Sequence, residues 1–516
     1  MVMKKYIVLL LLAIVELSGC AVNPVTGRQE LALVSEAQEI SAGQEQYNPS
    51  RQMQGGDYVV DPALTQYVDR VGKKLAAVSD RKLPYEFKVI NNSTPNAWSL
   101  PGGKIAVNRG MLTELSNEAE LSAVLSHEMV HAAARHGAKA MERGMLLQGA
   151  MAAAGIAMSD SRYANLGIMG SSLAASLVNQ KYSRDAERES DMYGMEYMAR
   201  AGYNPNAAVS LQEVFVRLSE NRDQNWLNGL FSSHPPSMER VVANREKALQ
   251  LGTAGTFGEE TYRQMTAHLK KTKEGYKAYD QGVKAISQGK TREALSLAEK
   301  ALKIEPREGL FHALKGDVQF SQKNYRESLI QYNQAVELNP AFFQFFLQRG
   351  LAREKLGEVT AARADLEKSV GLLPTATGYK ALGDIALAQG DRQNAVRYYE
   401  AASGSSSAAG KSAQGALVRM DLPQRPDRYL NARTGLGKDG RVYAQMINQT
   451  SVPIKNIRMK ARFRDSAGRV QEIPFAFMQT LYPGKTVTIP IGTGQFKNPA
   501  ALNNVDVSIV GAEIAE

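Results

Sequence analysis

A 34-residue period constrains this chain more than any other feature. Pro306, Pro340 and Pro374 are spaced by 34, as are Gly282, Gly316 and Gly350, with Gly383 following after 33. Small side chains keep two further places in each period: Ala294, Ser328, Ala362 and Ala395, then Ala301, Ala335, Ser369 and Ala402. Small residues mark where two helices of a pair cross, and the prolines mark where a pair closes. A helix–turn–helix unit of this kind cannot bury its apolar face alone, so its copies must stack. About four copies span 270–402, enough for a cooperative α-helical solenoid with a concave partner-binding groove.

The period is the tetratricopeptide pattern. It accounts for only part of a 516-residue chain, and 44% hydrophobic content is enough for packed cores on both sides of it. Lys4 and Lys5 precede an apolar run, Tyr6 to Val15, and then Leu17-Ser18-Gly19-Cys20. That order reads as a secretory signal over 1–19, too short and too interrupted by Glu16 to span a membrane well. Leu-Ser-Gly-Cys resembles a bacterial lipobox, which implies a lipidated Cys20 as the first mature residue. Cys20 is also the sole cysteine, so no disulfide forms within the chain. Several acyl chains anchor a protein stably, and Ala21 after the cysteine points to the outer membrane. The expected location is the bacterial cell envelope, facing the periplasm. A formal charge of +10 then speaks for membrane or acidic partners rather than nucleic acid.

Ahead of the repeats, Ser35 with Gln38 predicts a capped helix, and Pro62 opens another with Leu64, Tyr67, Val68, Val71 and Leu75 on one face. Tyr85–Ile90 reads as a strand. Gly102-Gly103 then predicts a turn between extended pieces at Ala97–Leu100 and Lys104–Asn108. An edge strand there, Asn96, Ala97 and Trp98, is a candidate for holding a peptide by backbone pairing. Asn117 to Glu120 reads as a capping box for the next helix, which carries His127-Glu128-Met129-Val130-His131 and is expected to stop at Gly137.

Two histidines one turn apart on a helix face the same way and can share one ion, with Glu128 beside them as a general base. A catalytic zinc needs a third protein ligand and an open position. His136, five residues on, sits about 140° around a continuous helix and points elsewhere. Glu187 lies 56 residues past His131 on its own predicted helix, with Asp191 four residues later on the same face. His234 sits on a loop before Pro235-Pro236. Between these, 144–180 is rich in Ala, Gly and Met. It is expected to form small-residue helices packed on the catalytic body rather than to span a bilayer.

The segments NPVTGR, NAWSLPGG, HEMVHAAARHG, YSRDAERESD and HPPSMER resemble, in order, those of the zinc metallopeptidase family that includes HtpX and the CAAX prenyl proteases. The resemblance covers residues 23 to about 250. It implies one zinc per chain held by His127, His131 and Glu187 in the gluzincin manner, with Glu128 as general base. It also implies that Asp191 orients a histidine ligand. Ser190 stands where the family usually has Ala. His234 and Arg240 match the family's HP…R segment; His234 either caps the zinc in a latent state or stabilises the oxyanion, and Arg240 is a further oxyanion candidate.

After the repeats, 403–414 (SGSSSAAGKSAQ) reads as a flexible linker. Five alternating stretches in 415–516, with turns at Ser466-Ala467-Gly468 and Pro483-Gly484, read as a small β-sandwich that resembles FxLyD-type domains. The expectation is a multidomain, mainly α chain: an α+β zincin-like metallopeptidase domain over 20–255, a tetratricopeptide solenoid, and a C-terminal all-β sandwich. Its expected function is zinc-dependent endopeptidase action on proteins or peptides in envelope quality control, with an envelope partner on the groove. The competing reading is a chaperone-like scaffold with a latent or structural zinc site.

Overall fold

The computed structural model describes residues 20–153, 181–221, 234–464, 469–495 and 505–515. The expected signal segment 1–19, residues 154–180 of the expected small-residue helices, and the turn at Ser466-Ala467-Gly468 lie outside the described residues. The chain divides into two units, 1–374 and 375–516.

In the first unit, β1 (Cys20–Val22) pairs antiparallel with β2 (Gln29–Leu31). Helix α1 (Glu36–Met53) starts on the expected capping box, in which Ser35 and Gln38 each satisfy the other's backbone N–H. Helix α2 (Pro62–Ala76) begins with Pro62, and the Asp61 side chain accepts from the Leu64 N–H. Its stripe Leu64, Tyr67, Val68, Val71 and Leu75 is buried, as its spacing predicts.

The sheet orders β3 (Glu86–Ile90), β5 (Lys104–Asn108) and β4 (Ala97–Leu100) as β3-β5-β4. β5 is parallel to β3 and antiparallel to β4. The β4–β5 connection is tight because Gly102 and Gly103 take φ of 76° and 82°, which favours glycine. β4 is thereby an edge strand.

Helices α3 (Arg109–Leu112), α4 (Glu118–Ala133), α5 (His136–Ala153), α6 (Arg184–Arg200), α7 (Asn206–Asn221), α8 (Met238–Leu251) and α9 (Glu259–Met265) complete the body. Asn117 caps α4 by accepting from the Glu120 N–H at 2.8 Å. Glu120 turns back to the Ser116 N–H rather than to Asn117, so half of the expected box forms. α4 ends at Ala133, and the left-handed residue after it is Arg135 (φ 64°), not Gly137. Gly137 instead opens α5, where Pro101 packs 3.1 Å from the place of a Cβ.

Three helix pairs follow: α10 (Ala267–Ser287) with α11 (Thr291–Ile304), α12 (Gly309–Ser321) with α13 (Tyr325–Leu338), and α14 (Phe343–Lys355) with α15 (Val359–Leu372). The periodic small residues explain themselves. Ala294, Ala301, Ser328, Ala335, Ala362 and Ser369 are wholly buried at the crossings. A Cβ on Gly316 would lie 2.5 Å from the Tyr332 ring. One hydrophobic core runs from Val25 through the sheet and α4 into the repeats as far as Phe346.

The second unit begins with the last pair, α16 (Ala376–Ala388) and α17 (Arg392–Ser403). The expected linker is overturned over most of its length, because Ala408–Asp421 forms helix α18. Its Ser407 side chain caps Gly410, and Ala413, Leu417 and Met420 share a core with Tyr399. Small, polar composition reads as a tether, but alanine is also the strongest helix former and an apolar stripe supplies the packing. Strands β6 (Ala432–Leu436), β7 (Arg441–Ile447), β8 (Ile454–Arg464), β9 (Val470–Phe477), β10 (Thr486–Gln495) and β11 (Asp506–Ile514) build two sheets, β10-β7-β6 and β11-β8-β9. Val442, Ala444 and Ile491 of one sheet share a core with Ala461 and Phe463 of the other, the packing of a sandwich. β6 is the strand that the sequence reading missed.

Candidate metal centre

The site is set by two helices that touch through glycine. Gly194 of α6 lies against the α4 backbone, where a Cβ would meet the His127 N and the Ser126 Oγ at 3.2 Å. This close approach carries Glu187 and Asp191 of α6 up to His127 and His131 of α4. The His127 and His131 Nε2 atoms are 3.1 Å apart. Glu187 places Oε2 3.6 Å from the His127 Nε2 and Oε1 3.4 Å from the His131 Nε2. His234, just before α8, comes to the same point, with Nδ1 2.9 Å from Glu187 Oε1 and 3.3 Å from the His127 Nε2. One donor atom from each of His127, His131, Glu187 and His234 lies within 4.8 Å of the others.

The donor set fits zinc. Two imidazole nitrogens and a carboxylate are the ligands of many catalytic zinc sites. Glu187 is buried, and its Oε2 makes no hydrogen bond, although Arg240 Nη1 stands 2.9 Å away as an ion pair. A buried, under-satisfied carboxylate oxygen beside two imidazole nitrogens is what an ion would complete. Burial pushes the Glu187 carboxyl up, but the nearby His234, His131 and His127 outweigh this and hold it far below the usual carboxylate range. Burial also pushes His131 well down, favouring the neutral imidazole that a metal needs.

Around the cluster, Asp191, Arg240 and Glu128 each have a fixed neighbour. His127 Nδ1 is 2.9 Å from Asp191 Oδ1, and Arg240 grips the same carboxylate from behind, through Nε and Nη2 at 2.7 Å each. Burial would raise Asp191, and the Arg240 guanidinium more than reverses it. Arg240 also donates to the Pro235 carbonyl, so its guanidinium is committed to positioning Asp191 and is not free for an oxyanion. Glu128 is 2% exposed, accepts from the Ser99 hydroxyl of β4 at 3.0 Å and stands 3.4 Å from the His234 Nε2. Tyr182 stacks on the His131 ring with centroids 3.8 Å apart.

Of the residues singled out in the sequence, His127, Glu128, His131, Glu187, Asp191, His234 and Arg240 therefore meet in one place. Asn96, Ala97 and Trp98 lie along the β4 edge next to Ser99, with their side chains buried. His136 stays outside the four-donor cluster, but the reason is different from the helical rotation assumed. The chain turns at Arg135, and His136 swings back so that its Nδ1 is 2.9 Å from the His131 Nδ1. Sequence reasoning also missed Ser99, Tyr182 and Glu189. Each sits inside or next to a motif already noted, and only the tertiary fold shows what it faces.

The profile of peptidase family M48 matches residues 62–248, and a TPR repeat profile matches 316–357. Metalloprotease YcaL of Escherichia coli (strain K12) is 30% identical over 202 residues, which is 38% of this chain and 75% of the relative. The chain belongs to peptidase family M48. Further M48-like relatives are the beta-barrel assembly-enhancing protease of Escherichia coli (strain K12), 25% identical over 61% of this chain and 72% of that protein, and a putative one from Vibrio cholerae. The latter is 31% identical over 37% of this chain, which spans only 40% of its length. The chain is thus an M48 metallopeptidase with tetratricopeptide repeats, and zinc is the cofactor of this class. Among the described residues, no helix is long and apolar enough to cross a membrane.

Proposed function

We propose that this chain is a lipid-anchored zinc metalloendopeptidase of the bacterial cell envelope. It acts in envelope or outer-membrane protein quality control, with its repeats recruiting clients or assembly machinery. The observation that carries the catalytic part is the buried cluster of His127, His131 and Glu187, with Glu128 beside it. The names of the relatives support the envelope part, and the Leu-Ser-Gly-Cys sequence ending at Cys20 supports the anchor.

His127, His131 and Glu187 would hold the zinc. When bound, zinc supplies a Lewis acid that lowers the pKa of water and polarises a carbonyl. The chain's own groups do the rest. Glu128, fixed by the Ser99 hydroxyl through Oε2, keeps Oε1 turned toward the cluster. There it takes the proton of the attacking water and returns it to the leaving amine. Asp191, clamped by Arg240, holds the His127 ring with Nε2 toward the cluster. An extended substrate pairs with the open edge of β4 at Asn96, Ala97 and Trp98, which brings its backbone past Ser99 and Glu128.

One observation favours a latent resting state. His234 brings a fourth donor to the cluster, and a four-donor site is closed whereas a catalytic one keeps a position open. In this reading His234 withdraws before substrate enters.

The test is a paired assay of zinc content and casein cleavage on the full chain. Glu128→Gln should keep one zinc and lower cleavage about 10²–10⁴-fold. Cleavage by that variant at the wild-type rate would sink the catalytic assignment. His234→Ala should keep its zinc and cleave faster than wild type; an unchanged or lower rate removes the latent state.

A further inference from the structure

We propose that His136 and Glu189 form a hydrogen-bonded chain that fixes the tautomer and ring plane of His131 for metal binding, with Arg28 of the N-terminal segment at its far end. The proposal rests on the zinc reading above and concerns residues to which that reading gives no role.

The nitrogen of His131 that faces the cluster is Nε2, 3.1 Å from the His127 Nε2 and 3.4 Å from Glu187 Oε1. To offer a lone pair there, neutral His131 must carry its proton on Nδ1. That Nδ1 is 2.9 Å from the His136 Nδ1, and two N–H groups cannot face each other at such a distance. His136 must therefore accept at Nδ1 and carry its own proton on Nε2. The His136 Nε2 lies 3.2 Å from Glu189 Oε2, an acceptor-only group when ionised. The carboxylate thus dictates the proton position on both rings. His127 has Asp191 directly behind it; His131 has a carboxylate too, one imidazole further back.

The fold holds this arrangement deliberately. His136 is buried against His131 only because Arg135 takes a left-handed φ of 64°, a strained choice for a residue with a side chain. Arg135 is fastened there by buried partners: its Nε donates to Glu39 Oε1 at 2.6 Å and its Nη2 to Glu142 Oε1 at 3.3 Å. Glu39 is itself fully buried and receives Arg81 Nη1 at 2.9 Å. At the far end, Arg28 Nη1 donates to Glu189 Oε1 at 3.2 Å. Asn23 Nδ2 donates to the Ala134 carbonyl at 2.9 Å, at the turn between α4 and α5. Both Asn23 and Arg28 belong to NPVTGR, the motif that the catalytic account leaves without a task.

The experiment measures zinc affinity of the metal-stripped full chain by competition with a chromogenic chelator, beside thermal melting of the stripped protein. His136→Leu should bind zinc about 10–100-fold more weakly. His136→Asn places an amide oxygen near the position of Nδ1, so it should recover most of that loss, which a space-filling role would not. Glu189→Leu, at a side chain that reaches the surface, removes the acceptor for the His136 Nε2–H and should fall between the two. The proposal is overturned if His136→Leu binds within about twofold of wild type, or if His136→Asn is as weak as His136→Leu. Should His136→Leu not fold, Glu189→Leu decides: unchanged affinity rejects the hydrogen-bonded chain and weakened affinity supports it. A wild-type chain that binds no zinc would instead reject the metal reading itself.

Discussion

The centre depends on charges that are buried and cannot be left alone. Arg240 is 7% exposed and holds Asp191 with two hydrogen bonds while standing beside Glu187. Arg240→Ala would strand both carboxylates. We expect it to destabilise the chain by about 3–5 kcal/mol in urea unfolding of the metal-stripped protein. A loss below about 1 kcal/mol would mean that water replaces the guanidinium. At this scale much was legible. His127, Glu128, His131 and Glu187 follow from ligand chemistry and motif order. The motif places Arg240 near the site and leaves its task open, because which carboxylate a guanidinium grips is decided by a contact between α6 and α8. The rotation that sets His136 apart assumes a continuous helix, and nothing in the local sequence marks Arg135 as left-handed.

Among the elements, the helix pairs and the β4–β5 hairpin were the most readable, because periodic small residues and paired glycines have few structural uses. The repeats also carry an unusual acid. Asp317 of α12 accepts from the Tyr332 hydroxyl at 2.8 Å and from Gln348 Nε2 at 2.6 Å. Burial pushes its carboxyl up to about 7, partly offset by the Tyr332 hydrogen bond. An acid whose folded pKa is raised binds its proton more tightly when folded. Its stability contribution is therefore lost as pH climbs from near 4 through 7. Asp317→Asn is uncharged throughout, so its melting temperature should gain on that of wild type between pH 4 and pH 8. A gap that stays constant over that range would show that Asp317 is ordinary. The element least readable was α18, where Ser, Ala and Gly suggest a tether and only the packing of Leu417 and Met420 reveals a helix.

Across the molecule, the peptidase body and the repeats of the first unit are one packed object. Glu308, at the start of α12, receives Asn91 Nδ2 at 3.0 Å and the Tyr276 hydroxyl at 2.6 Å. The Arg109 guanidinium lies 3.4 Å over the Tyr276 ring. Gln52 of α1 bonds the Ala341 carbonyl and the Phe343 N–H at 2.8 and 2.9 Å. Tyr276 and Glu308 are 32 residues apart, but the bonds of Asn91 and Gln52 to the repeats cross 217 to 291 residues and leave no mark in local sequence. They make whatever the repeats hold a neighbour of the catalytic body rather than cargo on a string. At the centre of that body, His127, His131 and Glu187 converge where they would hold a zinc ion. Anomalous scattering at the zinc edge, from crystals of the zinc-loaded full chain, tests it most directly. The account predicts one strong peak per chain, about 2.0–2.2 Å from the His127 Nε2, the His131 Nε2 and a Glu187 carboxylate oxygen. A peak placed elsewhere, or none at this cluster, would contradict it.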